Sequence, residues 1–117
     1  MVDESLIPYV AARFKLLGDP VRLSLLAALS DGERSVTDLS RAIRRSQPNV
    51  SQHLAALAKA GLVAARREGN HVFYRNADPF VARLCDTVCD SITARLRADT
   101  ERLAALPRRG LGRRRAR

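Results

Sequence analysis

The chain has 117 residues, one domain's worth, and at that size a long helix with a fully apolar stripe is expected to be shared with a second copy. Hydrophobic residues make up 46% and charged residues 28%, a globular composition, while three Phe, two Tyr and no Trp are too few for the stacking platforms of single-strand binders. The net charge of +9 asks for an anionic partner, but six arginines and no acid fall within 107–117, so removing those six leaves +3 on residues 1–106.

Apolar positions at Leu6, Val10, Phe14 and Leu17 have helical spacing and predict a first helix over about 5–17, stopped by Gly18. Asp19 and Pro20 restart the chain as N-cap and first helical residue. The second helix runs to about Ser30 with Val21, Leu25, Leu26 and Leu29 on one face. Asp31-Gly32 is a turn. A short third helix covers about Ser35 to Arg44, with Val36, Leu39 and Ile43 inward.

Ser46 caps a fourth helix whose core stripe is Val50, Leu54 and Leu57, ended by Gly61. Two strands, about Leu62–Arg67 and His71–Asn76, flank the hairpin signal Gly69-Asn70. Asp78-Pro79 opens a long fifth helix reaching Leu106, where Pro107 ends it. The fold class is mainly α with a small β-hairpin, in the order α-α-α-α-β-β-α. Only two or three residues separate helices three and four, a helix-turn-helix spacing.

With its core face on Val50, Leu54 and Leu57, the fourth helix turns Pro48, Asn49, Gln52, Ala55, Ala56 and Lys59 outward, and Ser46, Gln47 and Ser51 lie at its N-terminal end. Gln, Asn and Ser carry donors and acceptors that fit base edges, and small alanines let a helix sit deep in a major groove. The hairpin adds Arg66, Arg67, Asn70, His71 and Arg75, which can reach the minor groove or backbone. A polar helix face is by itself usually just solvated; the adjoining helix and the Arg-bearing hairpin favour DNA. His53 borders the core stripe and suits either a local hydrogen bond or a DNA contact. His71 reads as a hairpin residue rather than a metal ligand, since no second ligand lies near it in sequence.

These segments resemble the ArsR/SmtB family of metal- and metalloid-responsive repressors. The likeness rests on Phe14-Lys15-Leu16-Leu17-Gly18-Asp19-Pro20-Val21-Arg22-Leu23, Ser51-Gln52-His53-Leu54-Ala55-Ala56-Leu57, Ala60-Gly61-Leu62-Val63, Arg66-Arg67-Glu68-Gly69 and Val72-Phe73-Tyr74, in that order over about 8–96. The resemblance implies a winged helix-turn-helix homodimer paired through its first and last helices, a two-fold symmetric double-stranded DNA operator, and release by an inducer. Two departures matter. Many relatives carry a thiolate pair at the start of the third helix, where this chain has Glu33-Arg34-Ser35-Val36-Thr37-Asp38-Leu39. Others bind zinc through Asp and His on the last helix, which here has no His.

Cys85 and Cys89 lie one turn apart on the last helix, among Val81, Leu84, Val88, Ile92 and Leu96, the stripe expected to form the dimer contact. They read either as two small buried hydrophobes or as a soft-ligand pair. Structural zinc takes four protein ligands. Trivalent inorganic arsenic or antimony prefers three thiolates, and a methylated trivalent arsenical, with one position already on carbon, needs two. Some family members resemble this chain in using such a pair for arsenical sensing. An oxidative or sulfur-responsive switch on the same cysteines is the rival, and a repressor without metal sensing is a third reading. An i, i+4 pair is spaced too widely for a disulfide within the helix, so a bridge would run between chains.

No nucleophile–base constellation, Gly-rich phosphate loop or metalloprotease spacing is present, so an enzyme is not expected, and no cofactor is required. A winged helix that binds only protein would not need the Arg-bearing hairpin. No run of about 18 apolar residues suggests a membrane span. The start, Met1-Val2-Asp3-Glu4, lacks the basic region of a secretion signal, and two Cys make no disulfide framework, so a cytoplasmic protein with reduced thiols is expected. The expected organisation is a DNA-binding and dimerisation domain over 1–106, then an Arg-rich, disordered tail over 107–117, read either as a phosphate-contacting arm or as a solvated tail without function.

Overall fold

A computed structural model describes residues 2–106; the Arg-rich segment 107–117 lies outside the described residues. After a 3-10 turn at Glu4–Leu6, the elements are α1 (Ile7–Leu17), α2 (Pro20–Ala28), β1 (Arg34–Ser35), α3 (Val36–Ile43), α4 (Gln47–Lys59), β2 (Val63–Glu68), β3 (His71–Asn76) and α5 (Pro79–Ala105). The residues group into two compact units that divide after Ala82.

Local chemistry sets the helix starts. Asp19 accepts from the amides of Val21 (2.8 Å) and Arg22 (3.1 Å), and Pro20 supplies a first helical position that needs no donor. Ser35 accepts from the Asp38 amide at 3.1 Å, and Ser46 from the Asn49 amide at 3.2 Å. Asp78 accepts from the Phe80 amide at 2.9 Å at the start of α5.

Two helices end in the same way. At the end of α4, Gly61 takes φ +80°, its amide bonds Ala58 O and the Leu62 amide bonds Leu57 O, the 6→1 and 5→2 pair of a Schellman motif. At the end of α3 the pattern recurs with Arg44 in place of glycine: φ is +56°, the Arg44 amide bonds Arg41 O and the Arg45 amide bonds Ser40 O. Arg44 is the one non-glycine residue with positive φ among the described residues, and it turns the chain sharply from α3 into α4.

The core of the first unit comes from the expected stripes. Leu25, Leu26 and Leu29 follow α2, Leu39 comes from α3, and Val50, Leu54 and Leu57 come from α4; Leu17, Leu62, Val63 and Val81 complete the buried set. Val36 and Ile43 of α3 are only half-buried. In α1 the stripe behaves differently: Leu17 is buried, while Phe14 is 54% exposed.

The sheet has three antiparallel strands in the order β1-β3-β2, one more than the hairpin expected from the sequence. Ser35 pairs with Phe73 and Arg34 with Tyr74, so the residue expected to begin α3 instead belongs to β1 and caps the helix. Glu68 and His71 close a two-residue loop in which Gly69 has φ +60°, the positive φ a II′ turn needs at its first position.

The second unit is the run of α5 from Arg83. The whole helix has 27 residues, a rod of about 40 Å. Val88, Ile92, Leu96 and Leu103 are exposed on it, Leu96 by 61%. No described helix is long and apolar enough to cross a membrane.

Candidate nucleic-acid interface and thiol pair

α4 presents the face expected of it. Val50, Leu54 and Leu57 are fully buried, and Ser46, Gln47, Ser51, Gln52, Ala55 and Lys59 are exposed. The buried stripe fixes the roll of the helix, so the polar side chains are held outward by core packing. Asn49 and Ala56 depart from the set: both are half-buried, and the Asn49 Oδ1 is buried without a hydrogen-bond partner.

His53 is tied inward. Its Nδ1 accepts from Arg22 Nε at 3.2 Å, and Arg22 Nη1 also donates to the Leu16 carbonyl at 3.3 Å. Of its two expected roles, the local hydrogen bond is the one the geometry displays.

Pairing of β1 with β3 brings the N-terminus of α3 alongside the hairpin. A cleft of about 200 Å³ lies there, with Ser35, Thr37, Gln47, Ser51, Asn70 and His71 as its polar lining. Gln47 Nε2 donates to Thr37 Oγ1 at 3.4 Å. Gln47, Ser51, Asn70 and His71, four residues picked from separate segments of the sequence, thus share one concave polar surface. Thr37 was not among them. Only the short β1 places it there, and a two-residue strand leaves no periodic signal.

The hairpin arginines divide into two kinds. Arg67 and Arg75 are exposed and make no ion pair among the described residues. Arg66 bonds Glu33 and Glu68, with shortest contacts of 2.6 Å to each, and lies 4.8 Å from the Phe73 ring centroid. The guanidinium holds the Glu33 carboxyl below its usual range, and the two carboxylates push Arg66 up. Further exposed cations, Arg41, Arg44 and Arg45, sit at the end of α3 and in the turn before α4. Their closeness to a helix-turn-helix turn was the available signal for them.

On α5, Cys85 is half-buried and Cys89 exposed, both as free thiols. Burial first, then the charges of Cys89 and Asp86, push the Cys85 thiol up. No group of three or more His, Cys, Asp or Glu side chains that could hold a metal occurs among the described residues. Cys85 and Cys89 stand four residues, about one turn, apart on α5.

Residues 19–65, from the N-cap of α2 into β2, match the bacterial regulatory protein, arsR family. The chain is 42% identical over 79 residues to the biofilm growth-associated repressor of Agrobacterium fabrum, covering 68% of each chain. It is 46% identical over 63 residues to the arsenical resistance operon repressor of Escherichia coli, covering 53% of this chain and 54% of that one. The homodimeric winged helix-turn-helix DNA-binding domain from Mycobacterium bovis superposes with a TM-score of 0.71 at 37% identity, covering 82% of this chain and 91% of that domain. The chain belongs to the arsR family of bacterial regulatory proteins: it is a winged helix-turn-helix transcriptional repressor, not an enzyme.

Proposed function

We propose that the protein binds a two-fold symmetric operator as a homodimer and leaves it when a trivalent arsenical closes on Cys85 and Cys89. Gln47, Ser51 and Gln52 read base edges from the major groove, while Ser46, Lys59, Arg67, Asn70 and His71 meet phosphates and the adjoining groove. The observation that carries this reading is the outward polar face of α4, held by the buried Val50, Leu54 and Leu57. The exposed stripe of Val88, Ile92 and Leu96 supports pairing with a second copy, as does the homodimeric neighbour.

The inducer chemistry is ligand exchange without electron transfer. Methylarsenite, CH3As(OH)2, gives up two hydroxyls to the two thiol protons as water, and two As–S bonds replace two As–O bonds. Arsenite or antimonite has a third position that this pair leaves unfilled. A relative that governs arsenical resistance adds support for this class of inducer. The site acts in the cytoplasm, where thiols stay reduced, and needs no resident cofactor. Release requires only that the inducer bind the DNA-free arrangement more tightly; a coupling of about 1–3 kcal/mol shifts DNA affinity roughly 5–150-fold.

The test uses a duplex selected by the protein from a randomised pool and a scrambled duplex of equal composition. Anisotropy titrations should show tighter binding to the selected duplex and its release by methylarsenite. Equal binding to both duplexes overturns the DNA reading. Selective binding that methylarsenite leaves unchanged overturns the inducer reading alone.

A further inference from the structure

We propose that Glu33 is the positioning residue of the hairpin: through Arg66 it holds β2 and β3 in the orientation in which Arg67, Asn70 and His71 meet DNA, and Arg66 itself takes no phosphate. This rests on the DNA-binding reading above.

The contacts describe a strap across the sheet. Arg66 on β2 is the register partner of Phe73 on β3, and Phe73 is in turn the register partner of Ser35 on β1. Glu33 lies just before β1, two residues from Ser35, and its carboxylate meets the Arg66 guanidinium. The Arg66 side chain starts on β2, passes over the Phe73 ring of β3 at 4.8 Å and ends on Glu33, the residue before β1.

All three guanidinium nitrogens are used. Nε donates to both Glu33 oxygens at 3.2 Å, Nη2 to Glu33 Oε1 at 2.6 Å and Nη1 to Glu68 Oε2 at 2.6 Å. A forked, multiply bonded arginine with an aromatic ring beneath it has a fixed direction that a single surface ion pair lacks. Two carboxylates offset its one charge, which leaves it a poor partner for phosphate. Arg67, the next residue, points to the other side of the strand and carries the free charge.

Exposed pairs of this kind add little to global stability. Their effect on binding is larger in kind: the strap raises the share of molecules whose hairpin already faces the groove, and affinity scales with that share. The sign of the Glu33 effect separates this role from plain electrostatics. Removing an acid near DNA strengthens binding if only charge matters, and weakens it if the acid holds the hairpin.

Glu33→Gln, Arg66→Ala, the double variant and Arg67→Ala are compared with wild type on the selected and scrambled duplexes over a salt series, with circular dichroism and thermal midpoints as fold controls. Glu33→Gln should bind the selected duplex roughly two- to fivefold more weakly. The double variant should be no weaker than either single one. Arg66→Ala should keep the wild-type salt slope, whereas Arg67→Ala, which removes one contact from each protomer, lowers it by about two. Tighter or unchanged binding by Glu33→Gln, or a slope lowered by about two in Arg66→Ala, overturns the strap while selective wild-type binding stands. Loss of selectivity in the wild type overturns the DNA reading, and the strap with it.

Discussion

Arg22 Nε donates to His53 Nδ1 at 3.2 Å, joining the first turn of α2 to the middle of α4. The same guanidinium reaches the last turn of α1 through the Leu16 carbonyl, so one side chain ties α1 and α2 to α4. Acceptance at Nδ1 puts the imidazole proton of a neutral His53 on Nε2. Arg22→Met leaves a part-buried imidazole nitrogen and a carbonyl without their donor. We expect a stability loss of about 1–2 kcal/mol in urea unfolding, with the base preference of the surviving folded protein unchanged. An unaltered urea midpoint refutes the brace.

Gln52 is the contrasting neighbour, exposed and bonded to nothing among the described residues. Gln52→Ala should leave the unfolding midpoint in place, lower affinity for the selected duplex by about 1–3 kcal/mol and relax the preference at one base position. His53→Ala should do the reverse, losing stability before selectivity. A selection experiment with each variant reads both outcomes, and an unchanged consensus for Gln52→Ala removes it from the base-reading set.

Asp19 gives the acid limb of the stability curve. The Arg22 amide foremost holds its carboxyl below the usual range; desolvation opposes it, and the Val21 amide and the His53 and Arg22 charges add smaller lowering effects. A carboxylate with a lowered folded value contributes stability above its unfolded value, about 4, and loses it as pH falls through the folded value. Asp19→Asn still caps α2. It should therefore match wild type near neutrality and show a shallower fall in thermal midpoint through the acid range. Identical acid limbs would remove Asp19 as a contributor.

The Arg-rich segment 107–117 lies outside the described residues, and its part in binding is proposed from composition: six Arg and no acid. Each phosphate it neutralises contributes about 0.9 to the salt slope, so deleting the segment should lower the slope by up to about five per protomer, about eleven for the dimer. The thermal midpoint should stay where it was. A truncated protein with the full slope shows that the segment takes no phosphates.

Capping residues and periodic stripes made most of the fold readable in the sequence. Asp19, Ser46, Gly61 and the Gly69-Asn70 turn each act locally, and each sits where its chemistry required. Arg44 was not readable, because a left-handed helix end is signalled by glycine and here an arginine bears the strain. The third strand was hidden for another reason: Arg34 and Ser35 acquire it only by pairing with Tyr74 and Phe73, forty residues or so away in sequence. The same long-range closure separates Arg66 from Arg67. Neighbours of one type look alike in sequence, and only the sheet decides which one meets Glu33.

The two thiols should also prove unlike. Cys89 is exposed, while Cys85 is half-buried with its thiol pushed up by burial and by the charges of Cys89 and Asp86. Iodoacetamide at neutral pH should label Cys89 first, since thiolate fraction and access set the rate. Methylarsenite should not discriminate in this way, because it needs both. Losing either sulfur turns a two-point chelate into a single bond, and the effective-concentration advantage of the second point is about 10²–10⁴. Cys85→Ser and Cys89→Ser should therefore each raise the methylarsenite needed for half-release from DNA by at least about a hundredfold. The DNA affinity of both, and of the double variant, should remain that of wild type. Dimer formation should persist too, because Val88, Ile92 and Leu96 are untouched. Release of the double variant at wild-type concentrations would sink the chelate. Release only by peroxide, with a covalent dimer on a non-reducing gel, would instead assign the pair to an oxidative switch between chains.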